Sequence, residues 1–428
     1  MGPTVGRTRR ARAAQNPQGG PVSQLPVPAV DDVPRWVGEH LGHLHRDDDV
    51  HPSGRFRGGQ TAADTALATL DVTGYAGRRN EVLPESRRGA SAMSPYIRHG
   101  LLQLPEVWDA VEDAPTRDRT KYRAELLWQE YSRHLYARLG TRTRSALRAE
   151  PARGHARWQE PWPREMACLD TVLGELDDDG WLVNQTRMWV SSQWTVRAGH
   201  DWAEGEDELF ARLIDGSRAA NRVGWQWTVG SGNGKPYGFS RWQVRKRAPG
   251  LCERCPLAAD CPIEQWPEDQ PVRWLEKDPL MTADPDPGRT AGPDDVVTDA
   301  PPEAVWLTAE SLGATDPALA ANPDLPVVFV FDEPLLTRLR LASKRLVFLT
   351  ETLAELAQDR EVELRLGSPA QELAGRSLAV THAPVPGFTR IAAELRPAEV
   401  HPWPWLRRPH AGGIGSFSAW RKGLPRTR

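Results

Sequence analysis

Apolar residues recur at three- and four-residue spacing in residues 62–70, 122–139, 166–176 and 207–213. That spacing lines one face of an α-helix, so each stretch predicts a helix. Period-two alternation is scarce before residue 274. Glycine-rich 229–238 breaks the pattern and predicts a loop. Its Gly230-Ser-Gly-Asn-Gly234-Lys235 has three residues between the glycines where a phosphate loop needs four, and Pro236 stands where Ser or Thr is required, so that reading is rejected. Past residue 303 the period changes. Residues 304–307 and 326–331 (PVVFVF) are short continuous apolar runs, the pattern of strands buried on both faces. An amphipathic helix is expected over 344–357, and further strands over 361–366, 378–381 and 398–401. Strands alternating with helices predict a parallel α/β sheet.

Between the two regimes, residues 276–303 hold eight acidic residues, two basic ones and six prolines. That composition predicts a solvated linker. The expected organisation is a basic tail over 1–31, a helical domain over 32–274, a linker over 275–303, an α/β domain over 304–410 and a tail over 411–428. At 428 residues the chain is long enough for two or three domains.

Charged residues make up 26% and hydrophobic ones 39%, an ordinary balance for a globular protein. No apolar run approaches eighteen residues, so no membrane span or membrane partner is expected. The net charge of −3 excludes a global polycation; any nucleic-acid site must be a local basic surface. Arg7, Arg9, Arg10 and Arg12 open the chain without an apolar core of signal type, and read as a solvated tail. Four cysteines in 428 residues are too few for a disulfide scaffold, which makes the cytoplasm the expected compartment.

The densest chemistry lies in residues 180–227, where six tryptophans (181, 189, 194, 202, 225 and 227) surround Asn184, Arg187, Asp215 and Asn221. Aromatic walls with a few polar groups suit a flat conjugated ligand better than a plain core. Gly180-Trp181-x-x-Asn184, Arg187-Met188, Asp201-Trp202, Ile214-Asp215-Gly216, Ala220-Asn221 and Gly224-Trp225-Gln226-Trp227 together resemble the FAD-binding helical domain of the photolyase/cryptochrome family. The resemblance implies a fold of class α + α/β: an all-helical FAD-binding domain followed by a small parallel-sheet, Rossmann-like α/β domain. Residues 305–307, 316–319, 326–332, 345–349 and 367–370 resemble that α/β domain. The family's usual order is reversed here, as a circular permutation would produce.

The resemblance also assigns roles. Tyr75 and the run Ser91-Ala92-Met93-Ser94 match the phosphate side of the FAD site, with Ala90 and Ala92 where the family has polar groups. Arg187, Asp215, Ser217 and Asn221 fall near the isoalloxazine, Asn221 opposite its N5. Trp225 and Trp202 match the inner members of an electron-transfer chain; the outer position falls near Arg148, leaving Trp158 or Trp162 as substitutes. Glu125 and Trp128, three apart on one helical face, match residues that bond and stack a flipped pyrimidine dimer. Asn184, Met188 and Trp227 match further contacts, whereas Gln129 and Gln185 replace arginines.

Cys252-x2-Cys255-x5-Cys261, with Cys168 upstream, can gather on one metal centre. The arrangement resembles iron–sulfur bacterial cryptochromes and photolyases, which implies a [4Fe–4S] cluster, with zinc as the alternative. The function implied is light-driven splitting of cyclobutane pyrimidine dimers in DNA by an electron from excited reduced FAD, with Glu125, Asn221, Trp128 and Trp227 in the catalytic roles. The alternative is a cryptochrome-like blue-light receptor that binds FAD without repair. Antenna-contact residues are not readable from the pattern, so the antenna chromophore stays unknown at this point.

Overall fold

The computed structural model describes residues 24–155, 157–267 and 270–424. The helical part is built on α1 (Val33–Leu41), α2 (Thr116–Leu139), α3 (Ala167–Asp179), α4 (Asn184–Ser191), α5 (Trp202–Arg212), α6 (Arg218–Thr228) and α7 (Arg241–Arg247). The periodic stretches all lie on these helices or on Gln60–Ala68. The long α2 buries Tyr122, Leu126, Glu130, His134 and Arg138, a stripe at four-residue spacing. It stops at Gly140, whose φ of +56° a side chain would resist. Asp201 caps α5 by accepting from the Ala203 amide, and Ser217 caps α6 by accepting from the Ala220 amide.

Among the helices in the rest of the chain are α8 (Ser343–Leu356) and α9 (Phe417–Gly423). The sheet has seven strands: β1 (Gln24–Leu25), β2 (Val297–Thr298), β3 (Ala304–Leu307), β4 (Val327–Asp332), β5 (Val362–Gly367), β6 (Leu378–Thr381) and β7 (Glu399–His401). Their order is β1-β5-β4-β3-β6-β7-β2. The middle five are parallel, in the doubly wound arrangement expected of a Rossmann-like domain. Val327 to Phe331 are all buried, because helices cover both faces.

Both sheet edges are closed by antiparallel pieces from outside the α/β stretch. β1 lies where a basic tail was expected over 1–31; residues 1–23 of that stretch lie outside the described residues. β2 lies inside the expected solvated linker, and that expectation is corrected. Met281, Asp284, Thr290 and Ala291 are buried, and Asp284 pairs with Arg138 of α2 at 3.0 Å. The physical reason is capping. Asp278 and Asp286 accept from the amides of Leu280 and Arg289, at the starts of short helical turns that begin with proline. Acid with proline is the composition of helix starts as well as of linkers.

The expected tail over 411–428 is corrected too. Trp420 of α9 is fully buried and donates to His134 Nδ1 at 2.8 Å. Tyr131 Oη donates to the Ile414 carbonyl at 2.9 Å, and Glu130 accepts from the Arg407 amide at 2.9 Å. One face of α2 therefore clamps the C-terminal segment. A continuous apolar core joins the helical part to one face of the sheet, with α8 between them; Trp306, Phe388 and Trp403 form a second core on the other face.

Candidate functional site

Ser91, Ala92 and Met93 line a cleft of about 350 Å³ together with Arg55, Phe56 and Tyr96, a size within the range of small-molecule sites. Ala92 sits at φ +57°, a left-handed conformation uncommon outside glycine, and this turn exposes the backbone of the run to the cleft. Ser91 Oγ accepts from Tyr122 Oη at 3.2 Å. Tyr75 packs edge-on against the Tyr122 ring at 5.0 Å. Burial foremost, then the Glu125 carboxylate, pushes the Tyr75 hydroxyl well up. Ser94 Oγ accepts from Trp181 Nε1 at 2.8 Å, which ties this run to the tryptophan block. Arg55 lies over the same indole at 4.9 Å.

Within the block, Arg187 Nη2 donates to Asp215 Oδ2 at 2.7 Å, and the Asp215 side chain is 3% exposed. Among the described residues, Asp215 Oδ1 and Asn221 Nδ2 are buried without a hydrogen-bond partner. An acceptor and a donor left bare in a protein interior are costly, and they mark where a polar ligand edge would fit. Ser217 instead caps α6. The cleft lining includes none of Arg187, Asp215 or Asn221; Trp181 ties the serine run to the tryptophan block through Ser94. Arg197 turns away from Arg187 and donates to the carbonyls of Phe239 and Gln265; burial lowers its pKa to about 10.

Trp225 and Trp202 are buried. Trp225 and Trp194 converge on Gly205, where a Cβ would lie 2.5 and 2.6 Å from the two rings. Trp194 in turn meets Trp162 edge-on at 4.7 Å. The family resemblance assigns Trp194 no role in electron transfer; the structure puts it between Trp225 and Trp162.

On the substrate side, Glu125 is paired with Lys121 at 2.5 Å and Arg79 at 3.5 Å. Asn184 and Trp227 are exposed and Met188 is half-buried. Gln185, in an arginine's place, is buried and donates to Tyr237 Oη at 2.6 Å. Trp128 has the Phe417 ring stacked on it at 4.1 Å. Sequence reasoning missed that contact, since helix and C-terminal segment lie far apart in the chain with no local signal. It also missed Arg345 of α8, fully buried, which donates to the Gly216 carbonyl at 2.8 Å beside Asp215. Burial, then the charge of Arg98, lowers its pKa to about 9.

Cys168, Cys252, Cys255 and Cys261 all line one small cavity, roofed by Arg241 and Val244 of α7. No disulfide joins them. Burial first, then the other three sulfurs, pushes the Cys168 thiol up. Among the described residues, no group of three or more His, Cys, Asp or Glu side chains is placed to hold a metal ion. The four sulfurs thus share a cavity without being drawn onto one point.

Residues 122–245 match the family model described as the FAD binding domain of DNA photolyase. A deoxyribodipyrimidine photo-lyase of Thermus thermophilus is 30% identical over 232 residues, covering 50% of this chain and 52% of its own length. That of Vibrio cholerae is 30% identical over 166 residues, covering 36% and 35%. The matched stretch therefore spans about a third to a half of these relatives. A class III photolyase from Agrobacterium tumefaciens superposes with a TM-score of 0.36 at 24% identity, over 44% of this chain and 42% of its own. A cryptochrome from Synechocystis superposes with a TM-score of 0.39 at 22% identity, over 46% and 45%.

Proposed function

Through its FAD-binding module the chain belongs to the photolyase/cryptochrome family, and on that premise we propose that it is a light-driven DNA repair flavoprotein that splits cyclobutane pyrimidine dimers. The observation that carries this reading is the pair of bare polar atoms, Asp215 Oδ1 and Asn221 Nδ2, beside the Arg187–Asp215 ion pair. The residues present fit FAD: Asn221 and Asp215 would meet the polar edge of the ring, and Ser91, Ser94 and the backbone around Ala92 would hold the phosphate side. Bound flavin would supply the light-driven electron.

The chain's own residues then bind and orient. Trp227 and Trp128 offer aromatic faces for extruded pyrimidines. Glu125, held by Lys121 and Arg79, would bond the dimer. Asn184 and Met188 line the approach. Illumination of the purified, reduced protein with dimer-containing DNA tests the reading. Loss of dimers with time is expected; intact dimers alongside normal flavin photoreduction would overturn it.

A second reading has its own support. The Phe417 ring covers a face of Trp128, which suits a blue-light receptor that binds flavin and does not repair. The four cysteines are read as holding a [4Fe–4S] cluster, with zinc as the alternative, since four thiolates around one cavity serve either. The cluster's role would be to brace α7 against α3. The α/β part is read as the family's α/β domain transposed to the C-terminal side, supported by its five parallel strands. Among the described residues no helix is long and apolar enough to cross a membrane.

A further inference from the structure

Trp227, Trp242, Trp266 and Trp274 are 39%, 55%, 53% and 57% exposed; Trp227, Trp266 and Trp274 abut one loop, residues 230–238, and Trp242 joins them through Trp266. The loop starts from Trp227, whose carbonyl accepts from the Gly230 amide at 3.3 Å. Gly234 lies under Trp274, where a Cβ would come within 2.7 Å of the indole, and Gly238 lies under Trp266. Trp266 meets Trp242 at 6.3 Å, and Trp227 meets Tyr237 at 6.2 Å. The glycines let the loop pass beneath the rings and leave the outer indole faces to solvent.

Cations stand among these rings. Lys246 Nζ lies 4.6 Å from the Trp242 ring centre, and the Arg148 guanidinium 5.6 Å from that of Trp274. Arg148 also donates to the Gly232 carbonyl at 2.9 Å, which fixes the loop. Helix α7 reads RWQVRKR, with four cations and no acid. Lys235 is exposed at the loop crest. Acids border the patch: Glu253, Glu264 and Glu150 pair with Arg245, Arg241 and Arg273.

We propose that this face binds an unpaired stretch of nucleic acid, its bases stacked on Trp242, Trp266 and Trp274 and its phosphates met by Lys235, Arg245 and Lys246. Aromatic platforms interleaved with basic side chains are the chemistry of single-strand recognition. Docking faces for proteins share the tryptophan and arginine but are depleted in lysine, whereas Lys235 and Lys246 stand on this face. A duplex hides its base faces, so it could use the cations but not the rings. The inference rests on the DNA-directed reading above only where Trp227 joins this face to the dimer site.

The test uses the full chain, flavin included, with undamaged oligothymidylate and a duplex of equal length. The single strand is expected to bind more tightly. Trp242→Ala and Trp274→Ala should each weaken single-strand binding about tenfold, while Trp242→Phe keeps most of it and flavin content stays unchanged. Lys246→Ala should flatten the salt dependence by about 0.7 in log–log slope. Alanine variants that fold normally and bind the single strand like the parent would overturn the proposal. So would a change in self-association in place of oligonucleotide binding. Dimer repair is measured separately, so its failure would leave these binding outcomes standing.

Discussion

The Trp128 indole and the Phe417 ring lie stacked, 4.1 Å between centres and 9° from parallel. Phe417 begins α9, which is held to α2 through Trp420 and His134. A base that stacks on this face of Trp128 must displace Phe417. Phe417→Ala should therefore tighten binding of dimer-containing DNA several-fold and leave flavin content unchanged. The lost stack costs about 0.5–1.5 kcal/mol of stability beyond area burial, to be read from thermal melting. Unchanged or weaker DNA binding would mean that Phe417 covers a face the substrate does not use.

Glu130 is fully buried on α2, and its Oε2 has no partner. Burial raises its pKa from 4.5 to about 7, against the pull of Arg133 and the Arg407 amide. The fold thus favours the protonated acid. Its contribution is complete below pH 4.5 and is lost as pH rises through about 7, a change of up to about 3 kcal/mol. Glu130→Gln should remove that slope: the variant gains stability relative to the parent as the pH is raised from mildly acidic to mildly basic. Parallel pH profiles of melting temperature for the two proteins would sink the assignment.

Much of this was legible in the sequence because it is local. Helical spacing found α2, α3 and α5, and the apolar runs found β3 to β7. The polar residues of the tryptophan block were identified by order and spacing, and Arg187 and Asp215 do meet. What stayed hidden was long-range pairing of weakly patterned segments. Two residues at 24–25 and two at 297–298 close the sheet edges, and no two-residue strand has a readable period. Acid-and-proline composition concealed the capping of 278–291. The clamp of α2 on the C-terminal segment uses Glu130, His134 and Arg138, whose burial in a charged-looking helix only the partner segment explains.

Trp194 lies between Trp225 and Trp162, which makes it a better relay than its sequence context implied. Trp194→Phe should slow photoreduction of the bound flavin several-fold in transient absorption, with flavin content unchanged. Trp202→Phe tests the competing route. If only the Trp202 variant is slow, the path leaves Trp225 in that direction and Trp194 is core packing.

The four cysteines give the last prediction. Their shared cavity lies between α3, which carries Cys168, and the Cys252–Cys261 loop beneath α7. A bound cluster would cross-link segments far apart in sequence, and such a link stabilises chiefly by restricting the unfolded chain. Iron and acid-labile sulfide are expected in equal amounts in protein purified without oxygen, and zinc in their place would refute the cluster. Cys255→Ser should lower the iron content and the melting temperature together. It should also weaken single-strand binding at Trp242, because α7 rests on the cysteine loop through Arg241, whose amide donates to the Ile263 carbonyl at 2.8 Å. A variant that loses iron yet keeps its melting temperature would show that the loop holds its shape without the metal.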